Sequence, residues 1–365
     1  MARQKRNFTH LLKHSMFVLA SGFVLTACAQ SASKAPRSYV AHKTTENIVV
    51  DGKADEESWE KAPWSDNFID IEGVKTPTYK TNMKMLWDDE YLYFFADLEE
   101  PHVWGTLKQR DTVIFYNNDF EIFIDPDGDT HNYMEFEMNA LNTIWDLLLV
   151  KPYREHSLVL DSWDIQGIKT AVHVNGTLNN PNDKDSGWSV EIAMPWKVLT
   201  EANSHGKIPE DEFWRINFSR VNWDFELVDG RYQRKKDESG KYLPEYNWVW
   251  SPQGVINMHE PEHWGYVYFT SKGVDEKVTF EIPEDEAIKW QLYALYRKQK
   301  AFKNKNGKWA ASMDELAQEP IKVKGKEIQP SIELHEQGWN IKVESPFTNQ
   351  VLIIKEDGDF LKSKN

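Results

Sequence analysis

Cysteine is nearly absent. Cys28 stands alone among 365 residues, so no intramolecular disulfide can brace the fold. A basic surface is missing as well: 43 Lys and Arg face 58 Asp and Glu, giving a formal charge of −15. Nucleic-acid phosphates call for the opposite sign, which argues against a nucleic-acid partner. No apolar run approaches the roughly 20 residues of a spanning helix. The signatures G-x-S-x-G, H-E-x-x-H, G-x-x-x-x-G-K-S/T and G-x-G-x-x-G are all absent, which removes the common nucleophile, zinc and phosphate sites. Aromatic residues, by contrast, are plentiful. At 13% aromatic and 40% hydrophobic the chain has the means to build a core, and wholesale disorder is excluded.

Arg3, Lys5, Arg6 and Lys13 precede a short apolar run from Met16 to Leu25, the pattern of an export signal. The run ends in Leu25-Thr26-Ala27-Cys28, the form of a bacterial lipobox. Residues 1–27 therefore read as a lipoprotein signal peptide, and Cys28 as the lipidated residue. Several acyl chains hold firmly, because each buried methylene adds about 0.8 kcal/mol. Residues 28–41 comprise this cysteine and a small, polar tether. Ala29 after the cysteine suggests sorting to the outer membrane, so a lipid-anchored protein of the cell envelope is expected.

From about residue 42 to 270 the sequence alternates like a β protein. Met83–Trp87 and Tyr91–Ala96 flank Asp88-Asp89-Glu90 and predict a hairpin. Strands are also expected at Phe120–Ile124, Met134–Asn139, Thr143–Val150, Ile168–Val174, Trp188–Met194, Trp214–Val221 and Trp264–Phe269. Many short strands separated by turn signals predict an antiparallel β-sandwich. Residues 271–365 balance their charges, so the acidity belongs to the β region. Pro283-Glu284-Asp285-Glu286 opens a helix running to about Lys303, with acids first and bases last, as the helix dipole favours. A second short helix with a Ser cap is expected at Ser312–Leu316. Strands at Ile332–Leu334, Trp339–Val343 and Val351–Ile354 complete a small α+β C-terminal module. The fold class expected is thus mainly β, with this module appended.

Several residue groups could carry chemistry. Asp125, Asp127 and Asp129 alternate around Gly128, and oxygen ligands on a curved loop suit structural calcium; a plain turn uses the same residues. No organic cofactor is expected. Trp59, Trp87, Trp188, Trp196, Trp214 and Trp264 sit in apolar runs and are assigned to the core. Trp104, Tyr116, Trp145, Trp163, Trp223 and Trp248 have polar or glycine neighbours and are expected to face a groove. Exposed rings can cover the C–H face of a sugar while carboxylates and amides pair with its hydroxyls. Tyr116-Asn117-Asn118-Asp119 with Glu121 offers that mixture, as does Trp145 with Asp146, Lys151, Tyr153 and Arg154. Glu135, Glu137 and Asn139 alternate with apolar residues, so the two glutamates share one face. His259 and His263 bracket Pro261, which breaks the helix that a zinc pair would need.

Five segments in order resemble the family 9 carbohydrate-binding modules. They are Val50-Asp51-Gly52-Lys53-Ala54-Asp55-Glu56-Glu57-Ser58-Trp59; Leu86-Trp87-Asp88-Asp89-Glu90-Tyr91-Leu92-Tyr93; Asn118-Asp119-Phe120-Glu121-Ile122-Phe123-Ile124-Asp125-Pro126; Gly187-Trp188-Ser189-Val190-Glu191-Ile192-Ala193-Met194-Pro195-Trp196; and Trp250-Ser251-Pro252 with Trp264-Gly265. The resemblance implies a β-sandwich that can carry structural calcium, and a site that clamps a sugar-chain end between two tryptophans. Tyr116 stands at the first clamp position and Met258 at the second. Glu121 matches the family glutamate that holds sugar hydroxyls, while Glu137 replaces a sugar-binding arginine. Trp104, Trp145, Lys151 and Arg154 are the candidates for a rebuilt site beside Asn118, Asp119 and Asn139.

The function expected from the resemblance and the lipobox is capture of poly- or oligosaccharide by a membrane-anchored, non-catalytic protein serving polysaccharide breakdown, alongside glycoside hydrolases of the same pathway. Two alternatives stay open. One is a hydrolase or lyase using Glu121, Glu135 and Glu137. The other is a haem-binding redox module using Met258 or His259.

Overall fold

The structure, a computed structural model, describes residues 35–203 and 205–364; the signal segment and Cys28 lie outside the described residues. Alternating segments become strands because one set of side chains finds a common interior. In chain order these are β1 Ser38–Lys43, β2 Ile69–Asp70, β3 Thr81–Trp87, β4 Tyr91–Glu99, β5 Asp119–Asp125, β6 Tyr133–Asn139, β7 Ile144–Leu149 and β8 Val159–Leu160. They continue with β9 Lys169–Asn175, β10 Gly187–Pro195, β11 Glu212–Asn222, β12 Phe225–Val228, β13 Arg231–Arg234, β14 Tyr246–Val249 and β15 Gly265–Thr270. Every strand expected from residues 42–270 is present.

Among the described residues thirteen of these strands form one sheet, in the order β8-β7-β6-β5-β11-β15-β1-β3-β4-β10-β9, with β14 on β11 and β2 on β14. The sheet curls so that its two halves face each other. Phe120, Ile122, Phe136 and Phe218 from one half share a core with Met85, Phe94 and Ile192 from the other. This is the sandwich expected from the alternation. Its pairings are antiparallel except at β1, which runs parallel to both β15 and β3. β12 and β13 form a separate hairpin.

The six tryptophans assigned to the core are all buried. Three of those expected to face a groove are buried too, which corrects that expectation. Trp104 stacks on Tyr232 of the β13 hairpin, centroids 6.2 Å apart and planes 12° apart. Trp223 joins the same cluster, and Trp248 is covered by Tyr79, Tyr246 and the Arg220 guanidinium. Polar neighbours in sequence occupied the other strand face, or were followed by partners far along the chain.

Residues 284–364 add helix α1 (Glu284–Asn306) and strands β16 Ile321–Val323, β17 Lys326–Ile328, β18 Ser331–His335, β19 Gly338–Glu344, β20 Gln350–Lys355 and β21 Phe360–Lys364. The helix buries Ile288, Leu292 and Leu295 against Trp339, Ile341 and Leu352 of the four-stranded sheet β18-β19-β20-β21. Its first turn carries Glu284, Asp285 and Glu286, and Gly307 caps its end in the left-handed region at φ 74°. The short helix expected at Ser312–Leu316 does not form. The segment is a run of turns, although the Ser312 hydroxyl does accept the Glu315 amide; one capped turn without an apolar stripe cannot repay nucleation. Among the described residues no helix is long and apolar enough to cross a membrane.

Candidate functional site

Strand alternation gives β5, β6, β7 and β11 two unlike faces. Phe120, Ile122, Met134, Phe136, Ile216 and Phe218 turn into the sandwich core. The opposite face therefore carries Asp119 and Glu121 from β5, Glu135, Glu137 and Asn139 from β6, Trp145 from β7 and Ser219 from β11. Register brings these together. Glu121 lies directly opposite Glu137 on one side and Ser219 on the other, and Trp145 lies opposite Glu137. One carboxylate oxygen each from Asp119, Glu121 and Glu137 falls within 4.8 Å of the others.

This acidic row is bounded by two aromatic groups. On one side Phe123, Tyr133 and Trp264 pack with Leu147 and Met258. On the other Trp104, Trp223 and Tyr232 pack with Phe115. The row between them is deeply placed yet not fully satisfied. Glu137 accepts the Phe115 amide at 2.9 Å, and Asp119 accepts the Val221 amide at 3.3 Å. The second oxygen of Asp119 and the Trp145 indole nitrogen are buried without a partner.

Burial, reinforced by crowding, governs the protonation of the row. It pushes Asp119, Glu135 and Glu137 well above the usual carboxylate range, with Glu121 as the leading like charge beside each. Burial lifts Glu121 itself up to about 7. At neutral pH the row holds protons, so it can donate as well as accept hydrogen bonds. Vicinal hydroxyls need both.

Two half-exposed tyrosines lie near the row. Tyr116, in the short 3-10 turn Ile114–Tyr116, is 44% exposed, and Arg234 lies over its ring at 4.4 Å. Tyr153 is 45% exposed, and its hydroxyl is held in the protonated form by burial and then by Glu135 and Glu137. The His259 ring meets Tyr153 at 4.3 Å and stands 4.0 Å from Glu135. Burial lowers the His259 pKa to about 3, so it faces Glu135 as a neutral ring. His259 also bonds the Tyr133 hydroxyl at 2.9 Å.

The other expected site residues lie elsewhere or serve the frame. Asn118 accepts the Trp223 amide and donates to Glu100. Asn139 donates to the Leu107 carbonyl and accepts the Leu141 and Thr143 amides. Both brace the loops around the row. Trp104 has no free face. Lys151 and Arg154 are drawn away from Trp145, Lys151 to Asp357 at 2.6 Å and Arg154 to Glu262 at 3.1 Å. Ser219 joins the site without having been placed in it from sequence, whereas Tyr153 was named there only as a neighbour of Trp145. For Ser219 the signal was its alternate position in Trp214–Val221; for Tyr153 it was its place among Trp145, Lys151 and Arg154. At the second clamp position Met258 is buried, its sulfur accepting the Gln253 amide nitrogen.

In the Asp125–Asp129 loop, donor atoms of Asp125, Asp127 and Asp129 gather within 4.8 Å. Asp125 accepts the Gly128 and Thr130 amides at 2.9 Å each. The Lys289 ammonium from α1 binds the Gly128 carbonyl, so a positive charge already sits on this loop. A surface hollow lined by Lys108, Arg110 and Leu141 contains none of the row.

Comparison with known proteins supports the resemblance over the part of the chain that holds the first four segments. Residues 50–209 match the family model described as carbohydrate family 9 binding domain-like. Exoglucanase XynX of Acetivibrio thermocellus is 24% identical over 251 residues, 66% of this chain and 18% of that protein. Endo-1,4-beta-xylanase A of Thermoanaerobacterium saccharolyticum is 24% identical over 162 residues, 42% of this chain and 11% of that one. The chain thus spans less than a fifth of either relative. Among solved structures, a family 9 module from Caldicellulosiruptor kristjanssonii in complex with cellotriose has 16% identity and a TM-score of 0.42, covering 67% of this chain and all of that one. A putative carbohydrate-binding protein from Bacteroides uniformis has 15% identity and a TM-score of 0.47, covering 64% of this chain and all of that one. Residues 50–209 are thus similar in sequence to the carbohydrate family 9 binding domain-like family.

Proposed function

We propose that the chain is a lipid-anchored carbohydrate-binding protein of the cell envelope, capturing poly- or oligosaccharide for breakdown without cleaving it. The observation that carries this reading is the buried carboxylate row of Asp119, Glu121, Glu135 and Glu137, set between two aromatic clusters, with the exposed rings of Tyr116 and Tyr153 nearby. Aromatic faces match the C–H surface of a sugar, and carboxyls that both donate and accept match its hydroxyls. The anchor rests on the lipobox at Leu25–Cys28. Calcium, where bound, has a structural part in the Asp125–Asp129 loop, beside the Lys289 ammonium that meets the Gly128 carbonyl.

One oxygen each of Asp119, Glu121 and Glu137 lies within 4.8 Å of the others, and all three are buried, which supports a binding role for the row. In affinity gels, protein lacking residues 1–28 should be retarded by at least one polysaccharide of a panel. Tyr116→Ala with Tyr153→Ala should abolish the retardation while circular dichroism stays unchanged. Migration of that double variant with the wild type, or release of reducing ends by the pure protein, would overturn the reading.

A further inference from the structure

The turn between β20 and β21 docks on the loop between β5 and β6. Thr130 donates its hydroxyl to the Gly358 carbonyl at 3.1 Å, Tyr293 donates to the same carbonyl at 3.0 Å, and the Phe360 amide reaches the Asp129 carbonyl at 3.3 Å. His131 lies within this seam. It is 6% exposed, and neither ring nitrogen has a hydrogen-bond partner. A buried polar group left unsatisfied costs about 1–3 kcal/mol, so an imidazole with both nitrogens idle implies something that the protein atoms do not supply.

Its surroundings say what. Nδ1 stands 3.9 Å from Asp359 Oδ1, and Nε2 stands 3.8 Å from Asp357 Oδ2. Both separations are too long for hydrogen bonds. Two ligands of one tetrahedral zinc, each about 2.0–2.2 Å from the metal, are separated by about 3.4 Å, so a shift of about half an ångström brings His131 Nδ1 and Asp359 Oδ1 to that spacing. One donor atom each from Asp129, His131 and Asp359 already lies within 4.8 Å of the others.

We propose that Asp129, His131 and Asp359 bind a divalent transition-metal ion of the zinc type, which clasps residues 271–365 to the sandwich. The donors are set by their own supports. Asp129 Oδ1 accepts the His131 amide at 2.7 Å, which orients the carboxylate. Lys355 holds Asp359 Oδ2 at 2.7 Å and leaves Oδ1 to face the imidazole. Lys151 occupies Asp357, so Asp357 stands behind His131 as a paired group while the fourth metal position goes to water. An imidazole among the donors selects zinc-like ions over calcium, which takes oxygen ligands. The site shares Asp129 with the Asp125–Asp129 turn and differs from it in its imidazole and in Asp359, while Asp125 is engaged by the Gly128 and Thr130 amides.

The test uses the untagged chain from Ala29, stripped with a chelator and titrated with zinc chloride in a calorimeter. One equivalent should bind, the melting temperature should rise with zinc concentration, and X-ray absorption should report one imidazole in the shell. His131→Asn and Asp359→Asn should each weaken binding by about tenfold or more, with unchanged circular dichroism, while Tyr116→Ala binds zinc as the wild type does. Absence of zinc uptake by the stripped protein would overturn the proposal. So would uptake unaffected by both substitutions, or binding of calcium in preference to zinc. None of these readouts depends on carbohydrate, so the outcome is independent of the reading of the acidic row.

Discussion

The indole nitrogen of Trp59 donates to Oε1 of Glu191 at 3.0 Å. The other oxygen of Glu191 accepts the amides of Asp51 and Gly52 at 2.9 and 3.0 Å, and the Ser189 hydroxyl donates to the Gly52 carbonyl. Two segments far apart in sequence, Val50–Trp59 and Gly187–Trp196, are thereby one structural unit. Gly52 is obligatory there: its φ is 89°, and a Cβ would sit 2.7 Å from the His173 nitrogen. Glu191→Ala strands three donors, two of them on side chains or backbone that water reaches poorly. A loss of about 2–4 kcal/mol in urea unfolding is expected, with Trp59→Phe costing less because one bond is lost and the packing is kept. Equal losses for the two variants would contradict this ranking.

A second close approach joins Trp250 to Gly265. A Cβ on Gly265 would stand 2.2 Å from the Trp250 ring, which is itself 1% exposed in the core. Gly265→Ala should therefore overpack the site by about 1–3 kcal/mol, and Gly265→Ala with Trp250→Leu should recover part of the loss. A double variant no more stable than the single one would show that the clash lies elsewhere.

The acidic row makes stability depend on pH. Native Glu121 titrates near 7 against an ordinary value near 4.5, so between those values the folded state binds more protons than the unfolded one. Stability should accordingly fall as pH rises from about 4.5 to about 7 and stay reduced above it. Glu121→Gln should flatten that fall and gain on the wild type most at alkaline pH. Parallel melting-temperature curves for the two proteins would refute the assignment.

Exposed and buried rings should separate cleanly. Tyr116→Ala is expected to remove polysaccharide retardation with a change in stability below about 0.5 kcal/mol. Trp104→Ala, in the stack with Tyr232, should lose about 3–5 kcal/mol. Denaturant midpoints measured beside affinity gels distinguish the two; a stable Trp104 variant that fails to bind would return that ring to the site.

Alternation made the strands of residues 42–270 legible, because a period of two is a local property. It also placed Glu135 and Glu137 on one face. What it could not supply was register: only the pairing of β5 with β6 and β11 puts Glu121 between Glu137 and Ser219. The groove assigned to Trp104, Trp223 and Trp248 failed for the same reason. Their covers, Tyr232, Arg220 and Tyr79, come from elsewhere in the chain and leave no trace in the polarity of immediate neighbours. Lys151 and Arg154 answer to Asp357 and Glu262, carboxylates more than a hundred positions downstream. β1 carries no strong periodic signal, being a central strand whose pairing, not its pattern, holds it.

That central strand has a cost in assembly. Ser38–Lys43 is among the first parts of the folded body to be synthesised, yet its partners include Tyr266–Thr270, which emerge after nearly all of the sandwich. Until they arrive the two halves of the sheet have raw edges where β1 belongs. A chain trimmed past Lys43 would keep those edges for good, and self-association through them, rather than simple unfolding, is how such a protein would fail.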